Sequence, residues 1–388
     1  MPGGDFRIVD VTDPSHPVQV GQWGANAHGL CPGPFYGLGS FGACFGHSAR
    51  ASADGTKAYV SYWDLGVLTL DIRDVTNPTL ISRTLYAPDA DGDGHSVSEY
   101  QGESRRFLLQ NDEDFDPRSP AHIEYGSNTG IANESPFTPA LWDQPGHAIS
   151  ADVVMAANEG CNPSDYPAET AGRIAVVRTL FPFFDPVPGP EPACDQHVQV
   201  EMAASAGAVA VVHDWISPAT SPQFFDFSDV AIPVLFTDDA TAQGMVAEGL
   251  ATLGALEPSW GFLRAFDANT GLQVAKFDGV DNVHAYPPPE GFWSIHNNEV
   301  RGDRSYASWY TNGVVALDLS PLNQDPPSDP VMVGQFLPAG APSHVPGFIP
   351  SNVPVVWGVA IRESDGLIFV SDINSGLWIV RPTGPAAP

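Results

Sequence analysis

Residues 47–84, HSARASADGTKAYVSYWDLGVLTLDIRDVTNPTLISRT, set short β-branched and aromatic runs between turn-forming joints. HSARAS opens the stretch and Ala53-Asp54-Gly55 turns it. KAYVSYW follows, with Asp64-Leu65-Gly66 at the next joint. VLTLDIRD is third, and Val75-Thr76-Asn77-Pro78 leads into TLISRTL. Gly, Pro, Asp or Asn stands at each joint, so the stretch reads as four consecutive strands and not as a helix.

The rest of the chain holds partial copies of this unit. FRIVDVTDPSHPVQVGQW (6–23) repeats its second half. HSVSEYQG (95–102) and RRFLLQNDED (105–114) repeat its first half, whose continuation appears only at GFLRAFDANTGLQVAKFDG (261–279). A fourth copy spans 293–337, and 357–382 supplies three more strands before the chain ends. Repeats of about 40 residues with four strands each predict a mainly β chain folded as a β-propeller. We expect about five four-stranded blades. First strands begin near 47, 95, 294 and 357, whereas third strands lie near 6, 67, 262, 314 and 376. The leading copy therefore lacks its inner strands. We expect a truncated start; the alternative is that the N-terminal strands complete the last blade.

Between the halves of the split copy the texture changes. RIAVVRTLF (173–181), VQVEMAASAGAVAVVHDW (198–215) and VAIPVLFTDDATAQGMVAEGL (230–250) alternate buried strands with helical stretches, as in an α/β sandwich. Thr237-Asp238-Asp239 supplies a helix start. The division is residues 1–116 and 259–388 for the propeller and 117–258 for an α/β insert.

Two families resemble these parts. The repeat with IVDVTDP and LDIRDVTNP resembles LVIVD-repeat β-propellers, found largely in exported bacterial and archaeal proteins. The insert looks like a protease-associated (PA) domain through Gly160-Cys161-Asn162-Pro163, Gly172 to Arg178, Cys194, Ala206 to Val212 and Ile232-Pro233-Val234. The long Pro-rich stretch from Phe181 to Pro192 departs from that pattern. The resemblance implies a non-catalytic module that binds protein or peptide, or covers a neighbouring site.

Charge narrows the partners. The formal net charge is -30 and the only lysines are Lys57 and Lys276, which argues against nucleic acid or anionic membrane. No apolar run approaches the roughly 20 residues of a membrane span. The four cysteines form two local pairs, Cys31 with Cys44 and Cys161 with Cys194, which suits two disulfides and an extracellular or cell-surface protein. Four buried free thiols are the alternative.

Three first strands begin with histidine: His47, His95 and His296. First strands line a propeller's channel, so these imidazoles converge there and suit a transition metal. Glu99 and Glu299 follow close behind two of them as orienting groups or ligands. The alternative is that the rings only hydrogen-bond backbone carbonyls or water, and the fourth first strand offers Trp357-Gly358 instead. Asp89, Asp91 and Asp93 have the spacing of a calcium loop, although the next acid, Glu99, falls one position short of the EF-hand ligand. An acidic turn reads equally well. Asp112, Glu113, Asp114 and Asp116 read as a solvated loop at a strand end. Leu38-Gly39-Ser40-Phe41-Gly42 fails the nucleophile-elbow pattern, and neither H-E-x-x-H nor a phosphate-binding glycine loop occurs. The expected function is extracellular binding or scaffolding of protein or peptide. The alternative is a metal-dependent enzyme with the histidines at the channel and the insert as its lid.

Overall fold

The computed structural model describes residues 6–30, 45–86, 92–114, 117–118, 121–135, 137–179, 194–215, 229–345 and 349–388. In chain order the first strands are β1 (Phe6–Asp10), β2 (Val18–Trp23), β3 (Ser48–Ala51), β4 (Lys57–Ser61), β5 (Val67–Asp71), β6 (Thr79–Arg83), β7 (Gly94–Gln101) and β8 (Arg106–Asp112). The insert contributes β9 (Ala121–Tyr125), β10 (Asn128–Glu134), β11 (Ala148–Met155), β12 (Ile174–Thr179), α1 (Gln196–Ser205), β13 (Ala210–Trp215), β14 (Val234–Asp238), α2 (Asp239–Glu248) and β15 (Leu250–Ala255). After it come β16 (Leu263–Asp267) and β17 (Gln273–Phe277). The series ends with β18 (Asn298–Arg301), β19 (Arg304–Ser308), β20 (Val314–Asp318), β21 (Val331–Phe336), β22 (Val356–Arg362), β23 (Leu367–Asp372) and β24 (Gly376–Val380). The chain is mainly β.

Strands β3 to β6 form one antiparallel four-stranded sheet, and β18 to β21 form another. Between them in space lies a sheet in the order β7-β8-β16-β17. It joins two distant parts of the chain, with Leu263 opposite Asn111 and Asp267 opposite Phe107. β22 to β24 make a three-stranded sheet, while β1 and β2 pair with each other.

The turns explain the repeated Asp-Val-Thr signature. Asp10 Oδ1 accepts from the Thr12 backbone N–H at 2.8 Å and its hydroxyl at 2.6 Å; Asp74 does the same for Thr76 at 3.0 and 2.7 Å. The aspartate thus closes the turn with its own side chain, and the proline two residues beyond the threonine blocks helical continuation.

The sheets pack face to face. Tyr59 and Val67 meet Val97, Leu108 and Phe266; Phe107, Leu109 and Leu263 meet Trp309, Val315 and Leu317; Tyr306 and Val314 meet Val356 and Val370. Trp23 packs with Val60 and Leu68 on the outer side of the β3–β6 sheet. Central strands covered on both faces lose the alternation of a half-exposed strand, which is why VLTL and VVAL read as continuous apolar runs.

The insert closes into a seven-stranded barrel in the order β10-β14-β13-β12-β11-β15-β9, where an α/β sandwich was expected. The β9–β10 hairpin causes this: β9 also pairs with β15, and β10 with β14. The pairs β11–β12, β12–β13 and β13–β14 are parallel. Helix α2 starts at Asp238, whose Oδ1 accepts from Thr241 N at 2.7 Å, and ends at Gly249 in a left-handed conformation. A disulfide joins Cys161 to Cys194, just ahead of the α1 cap Asp195. Among the described residues no helix is long and apolar enough to cross a membrane.

Candidate functional site: a row of histidines closed by a buried glutamate

His47 precedes β3, His95 is the second residue of β7, His296 stands two residues before β18, and Trp357 is the second residue of β22. Because these strands are neighbours in four successive sheets, their side chains form one row. Ring centroids are 4.0 Å apart from His47 to His95, 4.2 Å from His95 to His296 and 4.4 Å from His296 to Trp357. The ends of the row, His47 and Trp357, are exposed, and the two inner histidines are buried.

Backbone carbonyls set the tautomers. Nδ1 of His47 lies 3.2 Å from the His95 oxygen, and Nδ1 of His95 lies 2.9 Å from the His296 oxygen. A carbonyl only accepts, so each Nδ1 carries the proton and each Nε2 keeps a lone pair. Ser48 and Ser96 hydroxyls donate to the same two oxygens, both at 2.8 Å. Neither ring nitrogen of His296 meets a hydrogen-bonding partner in good geometry.

Glu113, the residue after β8, faces both inner rings. Its Oε2 is 3.4 Å from His95 Nε2 and its Oε1 is 3.6 Å from His296 Nε2. The Tyr310 hydroxyl donates to Oε1, and the Glu113 N–H donates to Asp93 O at 3.0 Å. His95, Glu113 and His296 are 3%, 4% and 5% exposed. Burial pushes the Glu113 carboxyl up to about 8, against the pull of the Tyr310 hydrogen bond. Desolvation holds His296 down at about 4, lowers His95 well below the imidazole range and lowers His47. One donor atom from each of His95, Glu113 and His296 lies within 4.8 Å of the others. Neutral imidazoles with one carboxylate form a donor set for a transition metal.

The structure places the other candidates differently. Glu99 and Glu299 do not join the row. Glu99 accepts from Tyr59 and pairs with Arg106, both at 2.9 Å, while Glu299 takes both arms of Arg50 at 2.6 and 3.0 Å. Three or four residues along a strand carry a side chain about 10–13 Å away, out of reach of the rings. Asp93 is buried with φ 49°, while Asp89 and Asp91 lie outside the described residues, as do Cys31, Cys44 and Asp116. Asp112, Glu113 and Asp114 are not the solvated loop that their sequence suggests: they are 3%, 4% and 1% exposed. The correction follows from groups far along the chain: Arg264 of β16 meets Asp112, Tyr310 and His296 meet Glu113, and the Ser294 hydroxyl accepts from Asp114 N. Asp112 binds Arg264, Gln110 at 2.7 Å and the Tyr86 hydroxyl at 3.1 Å, and burial raises its carboxyl to about 6 against the pull of Arg264. Glu113 was visible in the sequence as one of four neighbouring acids, but no repeat position singled it out.

Comparison with known families matches residues 2–23 to the LVIVD repeat and residues 149–244 to the PA domain. The chain carries an LVIVD repeat and a PA domain. These modules suggest a protein-interaction or protease-associated role, and the PA domain with its disulfide fits an extracellular protein. No curated protein matches the chain. Solved structures similar in part include BSAP, a zinc aminopeptidase from Bacillus subtilis, at 16% identity, TM-score 0.28, and 42% of this chain against 36% of that one. An aminopeptidase from Aneurinibacillus sp. strain AM-1 gives 14%, 0.25, 45% and 39%. The subtilisin-like protease Apa1 from Pseudoalteromonas sp. AS-11 gives 12%, 0.24, 38% and 35%. The chain thus spans little more than a third of these proteins.

Proposed function

We propose that the protein is an extracellular binding or scaffold protein in which a propeller and a PA domain together recognise a protein or peptide. On this reading the sheets are blades around an axis, about five in number, with the β1–β2 pair as a partial one. The row from His47 to Trp357 supports it, because one equivalent position from each of four successive sheets meets at one line. Residues 1–116 and 259–388 make the propeller, and 117–258 form the inserted domain.

The observation that carries the binding role is how the PA domain is attached. It branches from between β8 and β16 on two irregular segments held together by Ser259 N donating to Pro117 O at 2.9 Å. Tyr286 of the propeller donates to Asp143 of the insert at 3.2 Å. A compact module hung on a closed neck presents its own surface beside the sheet loops without opening the sheet that bears it. The alternative, a metal-dependent enzyme with the PA domain as its lid, has the buried histidine–glutamate group in its favour.

The test is binding of a diverse peptide array to the intact chain and to a chain whose residues 119–257 are replaced by a short glycine linker. Selective binding by the intact chain that the shortened, folded chain loses supports the reading. No selective binding by the intact chain, together with turnover that depends on added metal, would overturn it in favour of the enzyme.

A further inference from the structure

We propose that His95 Nε2, His296 Nε2 and the Glu113 carboxylate bind one divalent first-row transition-metal ion between the β7–β8–β16–β17 and β18–β21 sheets. The separations carry the argument. At 3.4 and 3.6 Å the glutamate oxygens stand beyond the usual hydrogen-bond range to the imidazole nitrogens. Donors on one metal ion at about 2.0–2.2 Å stand about 3.3–3.6 Å from one another in a tetrahedral site. Each ring has one carboxylate oxygen at that spacing, Oε2 for His95 and Oε1 for His296, so the carboxylate offers a donor to either side.

Three further observations agree. The His95 Nδ1 bond to the His296 carbonyl leaves Nε2 with its lone pair aimed at the carboxylate, an arrangement that fixes ring orientation in metal sites. His296 is buried, and its ring nitrogens meet Asn297 and the Trp357 backbone only in poor geometry, which leaves them weakly satisfied. Tyr310 donates to Glu113 as an outer hydrogen bond that holds the carboxylate in place. Two nitrogens and a carboxylate suit Zn²⁺, Fe²⁺ or Co²⁺ and not Ca²⁺, which takes six to eight oxygens. His47 lies tilted against His95 from outside the donor group and is not a ligand. The proposal is independent of the peptide-binding role.

The experiment uses the full chain made without a histidine tag, stripped with chelator, reloaded separately with Zn²⁺, Co²⁺ and (anaerobically) Fe²⁺, and dialysed. Elemental analysis is expected to give about one equivalent per chain, with a raised thermal midpoint. The Co²⁺ form should show visible ligand-field bands without a thiolate charge-transfer band. Glu113→Gln keeps the side-chain shape and should lower metal affinity at least 10-fold, as should His296→Ala; His47→Ala and Glu99→Gln should retain the metal. Circular dichroism identifies any variant that fails to fold, and the midpoint shift of the wild-type chain reads binding without one. Failure of wild-type protein to hold any of the three metals after reloading overturns the proposal. So does equal retention by folded Glu113→Gln and His296→Ala.

Discussion

His95 Nδ1 donates to the main-chain oxygen of His296 across 2.9 Å, and this one bond ties neighbouring sheets while deciding which imidazole nitrogen faces Glu113. The rings are therefore built into the sheet-to-sheet contact. Their chemistry and the packing of the fold share the same atoms.

Tyr310→Phe tests how far that buried group depends on its outer hydrogen bond. Tyr310 is fully buried and its hydroxyl donates to Glu113. Removing the oxygen leaves a buried carboxyl oxygen short of a donor, a loss of about 1–3 kcal/mol. Urea unfolding of chelated protein should show the midpoint fall with an unchanged slope. An unchanged midpoint would mean that Glu113 finds another donor.

Arg264→Met tests the buried pair beside it. Arg264 and Asp112 are 7% and 3% exposed and bonded side chain to side chain. Taking away the guanidinium strands a carboxylate in the interior, at a cost of about 3–5 kcal/mol. The double variant Arg264→Met/Asp112→Leu should recover much of that loss. If the double variant is no more stable than the single one, the charge pair is not what holds this part of the sheet.

The repeat was legible because strand alternation and turn chemistry are local: Asp10 and Asp74 close their turns on residues two positions away. The split sheet was legible as well, since half-units at 105–114 and 261–279 complete one pattern. The site was half legible. His47, His95 and His296 share a repeat position, so the sequence groups them. Glu113 belongs to no repeat position, and two of the side chains that face it, His296 and Tyr310, lie far along the chain. Glu99 and Glu299 misled because closeness in sequence along a strand is distance in space. The barrel was hidden for a similar reason: closure rests on β9 meeting β15.

His213→Asn probes the insert through pH. His213 is fully buried in β13 and stacks on Phe236 with ring centroids 4.7 Å apart. Burial holds its pKa at about 3, below the 6.5 of a free imidazole. Between those values the unfolded chain binds a proton that the folded chain refuses, so this residue's contribution to stability is complete above pH 6.5 and falls as pH drops. From pH 6.5 to 5 the loss is about 2 kcal/mol at 1.36 kcal/mol per unit. Asp214 opposes it, because its carboxyl is raised to about 6 by burial and favours the folded state at lower pH. The difference between wild type and His213→Asn isolates the histidine. Urea unfolding at pH 5, 6 and 7 should show the wild-type advantage shrinking toward acid; a constant difference would place the proton elsewhere.

Gly261→Ala tests the junction on which both the insert and Glu113 depend. A Cβ there would lie 1.9 Å from Asp112 O and 2.7 Å from Asp114 N, both backbone atoms that cannot rotate aside. Phe262 O accepts from Asp112 N at 3.1 Å and Gly261 O accepts from Ile295 N at 3.1 Å, so the strand is pinned from both sides. Relief must come from separating the two arms of the neck, which displaces Glu113 from His95 and His296. Overpacking of this kind costs about 1–3 kcal/mol. Gly358→Ala is the control, since its nearest neighbour, Ser371 Cβ, is 4.0 Å away, and a change within about 0.5 kcal/mol is expected there. Urea midpoints should separate the two variants, and metal retention should fall in Gly261→Ala alone. Equal midpoints would show that the neck has room that the Asp112 contact denies.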